Sequence, residues 1–295
     1  WDNRPMYERV TKGLPFNEIY VLKNTDKGYT YSLSLKADKS FAWGLDLSAS
    51  YTFTQSKSIS SATSSQAQSN WRNTQTYRFS NSPELSYSAY NIPHMIKASA
   101  FYHFNIANNK MFTTTIGIIY QGRSGSPYSL MYSGDINGDS GTSNDLIYIP
   151  TDEQIDQMPF KGTDAYPADL QRQNLKAWLA KTPYLKDHRG QYYKRNADNL
   201  PFEHHFDLHV AEKMSLKVGK YDHALELSLD ILNVANMINK DWGRTYGTNY
   251  SNELVLPITY DGGQYQFVSS PDYILKYPQS YYSRWRGQLG LKYTF

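Results

Sequence analysis

The chain has 295 residues, a formal net charge of +3, no cysteine, and 27 tyrosines beside 12 phenylalanines and 6 tryptophans. The missing cysteine excludes disulfides, thiolate metal sites and cysteine nucleophiles. The small charge, with no basic run, excludes a nucleic-acid surface. No stretch approaches ~20 apolar residues, so no helix spans a membrane.

The aromatic load nonetheless sits in a chain of mean hydropathy −0.65. A transmembrane β-barrel accounts for both. Alternate residues of each strand face lipid and water, and aromatic girdles mark the two interfaces.

The chain opens Trp1-Asp2-Asn3-Arg4-Pro5, with neither an initiator Met nor a charged-then-apolar leader. That opening is expected of a processed chain or of an internal piece. Ile19–Leu22 is a first, weak strand candidate. From Tyr29 the period of two is plain: Tyr29, Tyr31, Leu33, Leu35 and Ala37 alternate with Thr30, Ser32, Ser34 and Lys36. A turn at 38–40 leads to Phe41, Trp43, Leu45, Leu47, Ala49, Tyr51 and Phe53, opposed by Ala42, Gly44, Asp46, Ser48, Ser50 and Thr52. This second run exceeds the ~5–6 residues of a globular strand.

The alternation returns over 96–104, and after a tight connection around Asn108-Asn109 over 112–120. It returns again over 206–210, over 225–231, and from Trp285 to Phe295. Seven strands result. Short connections near 38–40, 105–110 and 214–222 alternate with long ones near 55–93, 122–202 and 236–281. Outer-membrane barrels have short periplasmic turns and long external loops, so the C-terminus is expected on the periplasmic side. A soluble β-sandwich with decorated loops is the competing fold. Strand length, two-faced alternation and loop asymmetry all weigh against it.

The polar faces carry Arg284, Arg286 and Lys292 near Glu226 and Asp230, charges that tolerate burial only when paired or wetted. Such a lining fits a wide lumen holding water or a plug, too wide for seven or eight strands. The chain therefore reads as the C-terminal third or so of a large barrel. Its end, Gln288-x-Gly290-x-x-Tyr293-x-Phe295, matches a terminal insertion signal of outer-membrane barrels.

Four candidate sites lie along the loops and strands. Asp135-x-Asn137-x-Asp139 followed by Asn144-Asp145 resembles the first half of a calcium loop, with Asp135, Asn137, Asp139 and Asp145 as ligands. Ser140 replaces the sharp-turn Gly and Leu146 the bidentate Glu, so a side-chain-bonded turn is the competing reading. Residues 167–181 read as a helix with Pro167 at N1 and Leu170, Leu175, Trp178 and Leu179 on one side, stopped before Pro183. His205, Asp207 and His209 share a strand face, but steps of ~7 Å suit a lumen lining better than a metal site. Tyr87, Tyr90, Tyr246, Tyr250, Tyr281 and Tyr282 suit either an outer girdle or stacking on sugars and peptides. No esterase elbow, zinc-protease motif or phosphate loop occurs, and Gly122-Arg123-Ser124-Gly125-Ser126 misses the elbow spacing. The chain is not expected to be an enzyme.

Several segments together resemble the Oar-like branch of TonB-dependent outer-membrane receptors, related to SusC/RagA-type transporters. They are Asn24-Thr25-Asp26-Lys27-Gly28-Tyr29, Tyr51-Thr52-Phe53-Thr54-Gln55-Ser56-Lys57-Ser58, Gly134-Asp135-Ile136-Asn137-Gly138-Asp139 and Asn144-Asp145-Leu146-Ile147-Tyr148-Ile149-Pro150. Tyr184-Leu185-Lys186-Asp187-His188-Arg189-Gly190-Gln191, Arg195-Asn196, Pro201-Phe202 and Phe206-Asp207-Leu208 follow in the same order.

The resemblance implies an all-β, transmembrane antiparallel barrel of about 22 strands, with an N-terminal plug and TonB-contacting segment that this chain lacks. It implies outer-membrane lipids, the TonB complex and a possible surface lipoprotein as partners, in a Gram-negative outer membrane. A small-molecule, glycan or peptide ligand would bind at the loops and be translocated by energy-coupled plug movement; a surface-binding or adhesive barrel is the alternative. No ligand residues follow from it; calcium in the longest loop, read from the Asp135–Asp145 residues themselves, is the one cofactor expected.

Overall fold

The computed structural model describes residues 2–8, 15, 19–62, 64–81, 83–106, 109, 111–248, 254–268 and 277–295. Within them, the strands of three or more residues are β1 Tyr29–Ser40, β2 Leu45–Ser58, β3 His94–Phe104, β4 Phe112–Arg123, β5 Pro127–Ser133, β6 Glu203–Val218, β7 Tyr221–Leu232, β8 Leu254–Asp261, β9 Gln264–Gln266 and β10 Arg286–Thr294. The main sheet runs β1-β2-β3-β4-β6-β7-β10, with Ser86–Tyr87 added beside β2. Every neighbouring pair along this path is antiparallel, and β1 and β10 are its edges. All seven strands expected from the alternation are present.

The register extends each alternation across the sheet. Ala37 faces Ala49, Ala49 faces Ala98, Ala98 faces Tyr120 and Tyr120 faces Phe206, all on the apolar face. Two residues along, Lys39, Leu47, Ala100, Ile118 and Leu208 continue it. Leu225, Leu227 and Leu229 stand exposed on this face, 39%, 51% and 41% accessible, and among the described residues no second sheet covers them. A soluble sandwich would bury that row. Leaving it in water forgoes about 1.5–3 kcal/mol per side chain, and hydrocarbon removes that cost.

Aromatic rings bound the apolar face at both ends. Phe41, Trp43, Tyr102 and Phe104 form one chain of contacts, with centroids 5.5, 5.7 and 5.3 Å apart. Tyr31, Phe53, His94 and Tyr51 form another, at 6.1, 5.6 and 6.1 Å. His94 and Phe104 are the two ends of β3. At ~3.3 Å per residue and a tilt near 40°, that strand rises about 25 Å, the height of an outer-membrane apolar band.

Four expectations are corrected. Ile19–Leu22 forms no strand; it is coil with Ile19, Val21 and Leu22 exposed and Tyr20 half-buried against Trp71. The first turn is Phe41–Gly44 rather than 38–40, closed by Phe41 N to Leu45 O at 2.8 Å and Gly44 N to Phe41 O at 3.0 Å. The alternation ran through it because Phe41 and Trp43 serve the aromatic belt rather than the ladder. Gly44, at φ +101°, takes a backbone form open to glycine, and a Cβ there would meet the His103 carbonyl. The connection at 214–222 shrinks to Gly219-Lys220, because β6 continues to Val218. Of the connection around Asn108-Asn109, Asn108 lies outside the described residues; Phe112 N donates to Asn109 O at 3.0 Å.

The fourth correction concerns the helix. It spans Ala168–Lys181 with Pro167 at the N-cap, one residue before N1. Leu175, Trp178 and Leu179 are buried, but Leu170 is exposed and Gln171 takes the inner place. Its amide nitrogen donates to the Lys161 and Tyr166 carbonyls, both at 2.8 Å, and its oxygen accepts from Phe267 N at 2.8 Å.

The hydrophobic core lies in the long connections rather than in the main sheet. Leu130, Met131, Tyr132, Ile147, Ile149, Ile155, Leu175, Trp178, Leu179, Tyr193, Ile258 and Phe267 are at most 1% accessible. They surround a small sheet ordered β9-β8-β5-(Asp198–Asn199), in which β5 and β8 run parallel. The connections 124–202 and 233–285 thus share one packed body at the end of the sheet opposite the tight turns.

Candidate functional site

Asp135, Asn137, Asp139 and Asp145 meet at the edge of this body. Two segments bring them there. Residues 134–142 form a compact loop, closed by Gly134 N to Thr142 O at 2.8 Å. Asp145 is held against β5 by Tyr132 N donating to its carbonyl at 2.9 Å, with Leu146 bridging Met131.

Inside the loop, Asp135 accepts from Gly138 N at 2.6 Å and Ser140 N at 2.8 Å. Asp139 accepts from Gly141 N at 2.7 Å and the Asn144 amide at 2.9 Å. The Asn137 amide donates to Asp145 Oδ1 at 2.7 Å. Carboxylate oxygens of Asp135, Asp139 and Asp145 all lie within 4.8 Å of one another.

Both departures from the calcium-loop pattern have a local answer. Ser140 adopts φ +69°, the left-handed form a glycine would take there without steric cost. Leu146 is buried in the core, and Asp145 beside it supplies the third carboxylate. Gly138, at φ +82°, lets the Tyr7 carbonyl approach where a Cβ would collide with it.

Asp145 is fully buried, as is Asn137, and Asn144 is 2% accessible. Burial pushes the Asp145 carboxyl up to about 7; Arg4 pulls against that rise, and Asp139 and Asp135 add to it. Arg4 had no sequence signal as a site residue. Its guanidinium reaches Asp145 Oδ1 at 3.3 Å, Leu146 O at 3.0 Å and Asp2 Oδ2 at 3.0 Å. Tyr192 completes the group by donating to Asp2 Oδ1 at 2.9 Å.

The histidine row is not a cluster. His205 pairs with Thr245 at 3.0 Å, Asp207 accepts from Asn233 N at 2.7 Å, and His209 meets Asp230 at 2.6 Å. Each polar group is used to pin a neighbouring strand or loop. On the same face His103 lies 3.3 Å from Asp46, and Glu226 stands between Lys213 and Lys292 in register. At the loop end Arg123 binds the buried Glu203 at 2.8 Å. Among the candidate tyrosines, Tyr281 and Tyr282 are exposed and meet edge to face at 5.3 Å, and Tyr90 is also exposed. Tyr87 and Tyr246 are half-buried, and Tyr250 lies outside the described residues.

Motif residues without an assigned role turn out to fasten loops. Arg195 donates to the Ser58 and Ile59 carbonyls at the end of β2. His188 stacks on Tyr184 at 4.1 Å, Arg189 pairs with Asp152, and Gly190 N donates to Ile149 O at 2.7 Å. A cleft of about 290 Å³ opens between Lys57, Tyr77, Glu84, Tyr87 and Lys194. Charged and aromatic groups of this kind suit a polar ligand.

An antiparallel sheet with one lipid-type face, one charged face and two aromatic belts defines an outer-membrane β-barrel protein. The outer membrane beta barrel domain family matches residues 2–253, and the chain belongs to it. No curated protein and no solved structure matches the chain. Its place is the outer membrane.

Proposed function

We propose that the chain forms the C-terminal strands of a larger TonB-dependent outer-membrane receptor. The parent binds a solute at its external loop body and passes it to the periplasm when an energy-coupled plug moves. Binding and gated translocation need no covalent chemistry, and this chain supplies the wall, the loops and part of the lumen.

The observation that carries the reading is the open sheet. Among the described residues its edge strands β1 and β10 are long and each has one neighbour along the path, while its polar face carries charged pairs such as His209–Asp230. Unpaired strand edges cannot face hydrocarbon. Seven such strands cannot enclose a wide wet lumen, whereas about 22 can. The ordered segments that resemble Oar-like receptors support the same conclusion. The short turns Phe41–Gly44 and Gly219-Lys220 share one end of the sheet with Phe295, which in this family's architecture is the periplasmic end.

The test compares the culture medium of cells with and without the gene, each with and without a working TonB complex. A solute depleted only when both are present supports transport. Depletion that survives TonB loss overturns it, as does surface adhesion lost with the gene while no solute changes. The adhesive barrel would then be the better reading.

A further inference from the structure

We propose that the Asp135–Asp145 loop is a divalent-cation site whose ligand is calcium, and that the ion fastens the N-terminal segment to the loop body. The inference stands whether or not the parent is a transporter.

Three carboxylates with oxygens mutually within 4.8 Å, one of them fully buried, concentrate negative charge where water is scarce. Arg4 answers Asp2 and one oxygen of Asp145. Among the described residues, Asp135 and Asp139 receive only neutral N–H donors.

A second, independent observation points to a ligand. Asn144 is 2% accessible, its Oδ1 has no hydrogen-bond partner, and its carboxamide rests 2.9 Å from Asp139 Oδ2 through Nδ2. A half-turn of that carboxamide exchanges nitrogen for oxygen at nearly the same point. The unused oxygen then joins the carboxylates around a cation.

The donor set selects the ion. Every candidate donor is a hard oxygen, with no histidine or cysteine, which disfavours zinc and copper. Carboxylates on a flexible loop suit the six to eight oxygens of calcium better than the small octahedral shell of magnesium. An ion there would stiffen the loop whose Asn137 carbonyl accepts from Tyr7 N at 2.7 Å and whose Asp145 binds Arg4. Residues 2–8 are thereby tied to the body.

The experiment uses the intact protein in detergent after chelation. Calcium chloride, and separately magnesium chloride, is titrated calorimetrically. Proteolysis near residues 2–8 is followed with and without each ion. Calcium should bind with a Kd of about 10⁻⁴ to 10⁻³ M, the range of extracellular calcium modules, and should slow cleavage. Asp139→Asn should abolish both effects, while Asp241→Asn, at the exposed pair with Arg244, should keep them. Should Asp139→Asn fail to fold, terbium bound to the unaltered protein and displaced by calcium gives the same answer. No binding to the unaltered protein, equal binding by magnesium, or full binding by folded Asp139→Asn would overturn the proposal.

Discussion

Arg4 and Asp145, 141 positions apart, form a buried ion pair at 3.3 Å that joins the start of the chain to its longest connection. Neither side chain reaches appreciable solvent. Arg4 also lies over the Tyr132 ring at 5.1 Å, so its charge and its plane are both used.

Replacing Arg4 by Met leaves Asp145 buried without its cationic partner. Removing one member of a buried pair costs about 3–5 kcal/mol. In calcium-free buffer, Arg4→Met should lower the unfolding temperature of the loop body and speed proteolysis near residues 2–8. Calorimetry and timed digestion read this directly. An unchanged transition would show that the pair contributes little.

On the polar face of the sheet, the Phe101 ring covers Gly117, which it opposes in register. A Cβ at Gly117 would collide with two carbons at the edge of that ring. Gly117→Val should therefore destabilise the sheet by about 1–3 kcal/mol, the usual cost of overpacking. The double variant with Phe101→Ala should cost less than the two single changes together. Strict additivity would mean that ring and glycine do not depend on each other.

The two faces of the last strand pair, β7 and β10, should respond oppositely to charge. Leu229 faces Leu289 on the apolar side, and Asp230 faces Gln288 on the other. Leu229→Arg should cost up to about 2–4 kcal/mol if the position lies near the bilayer midplane. Gln288→Arg, placed beside Asp230, should be tolerated. Heat-induced unfolding of the two variants in lipid vesicles makes the comparison; equal losses would contradict the assignment of faces.

Phe295 is 86% accessible and stacks on Tyr293 at 5.8 Å, while Tyr293 bonds His223 at 2.7 Å. The ring contributes little to packing, so deleting it should leave the folded sheet nearly as stable as before. Its expected role is recognition during assembly. Deletion should reduce the amount of barrel inserted in cells while sparing folding into detergent in vitro. Normal insertion without Phe295 would remove the terminal-signal reading.

The membrane-type sheet was legible because its two environments write a period of two directly into the residues. The errors lie where another demand imitates that period or removes it. Phe41 and Trp43 keep the alternation while leaving the ladder, because a belt of rings needs them at the turn. The body was hidden for the opposite reason. Pro127–Ser133 is buried on both sides except at its last residue, so it shows no alternation, and its parallel partner β8 lies more than a hundred residues onward. Leu170 and Gln171 exchanged roles because a buried glutamine can be worth more than a leucine when three backbone groups need partners. The acidic loop was visible from Asp135-x-Asn137-x-Asp139 alone. Arg4, which meets it through space, left no trace in the local sequence.

The parallel pairing of β5 with β8 has a mechanical consequence. It clasps the connection that follows β4 to the one that follows β7, beyond the rim where those strands end. A ladder whose side chains repeat every second residue can slip by two without turning any side chain to the wrong medium. Here such a slip between β6 and β7 would have to drag apart a close-packed body, so the clasp acts as a latch that holds the shear of the wall.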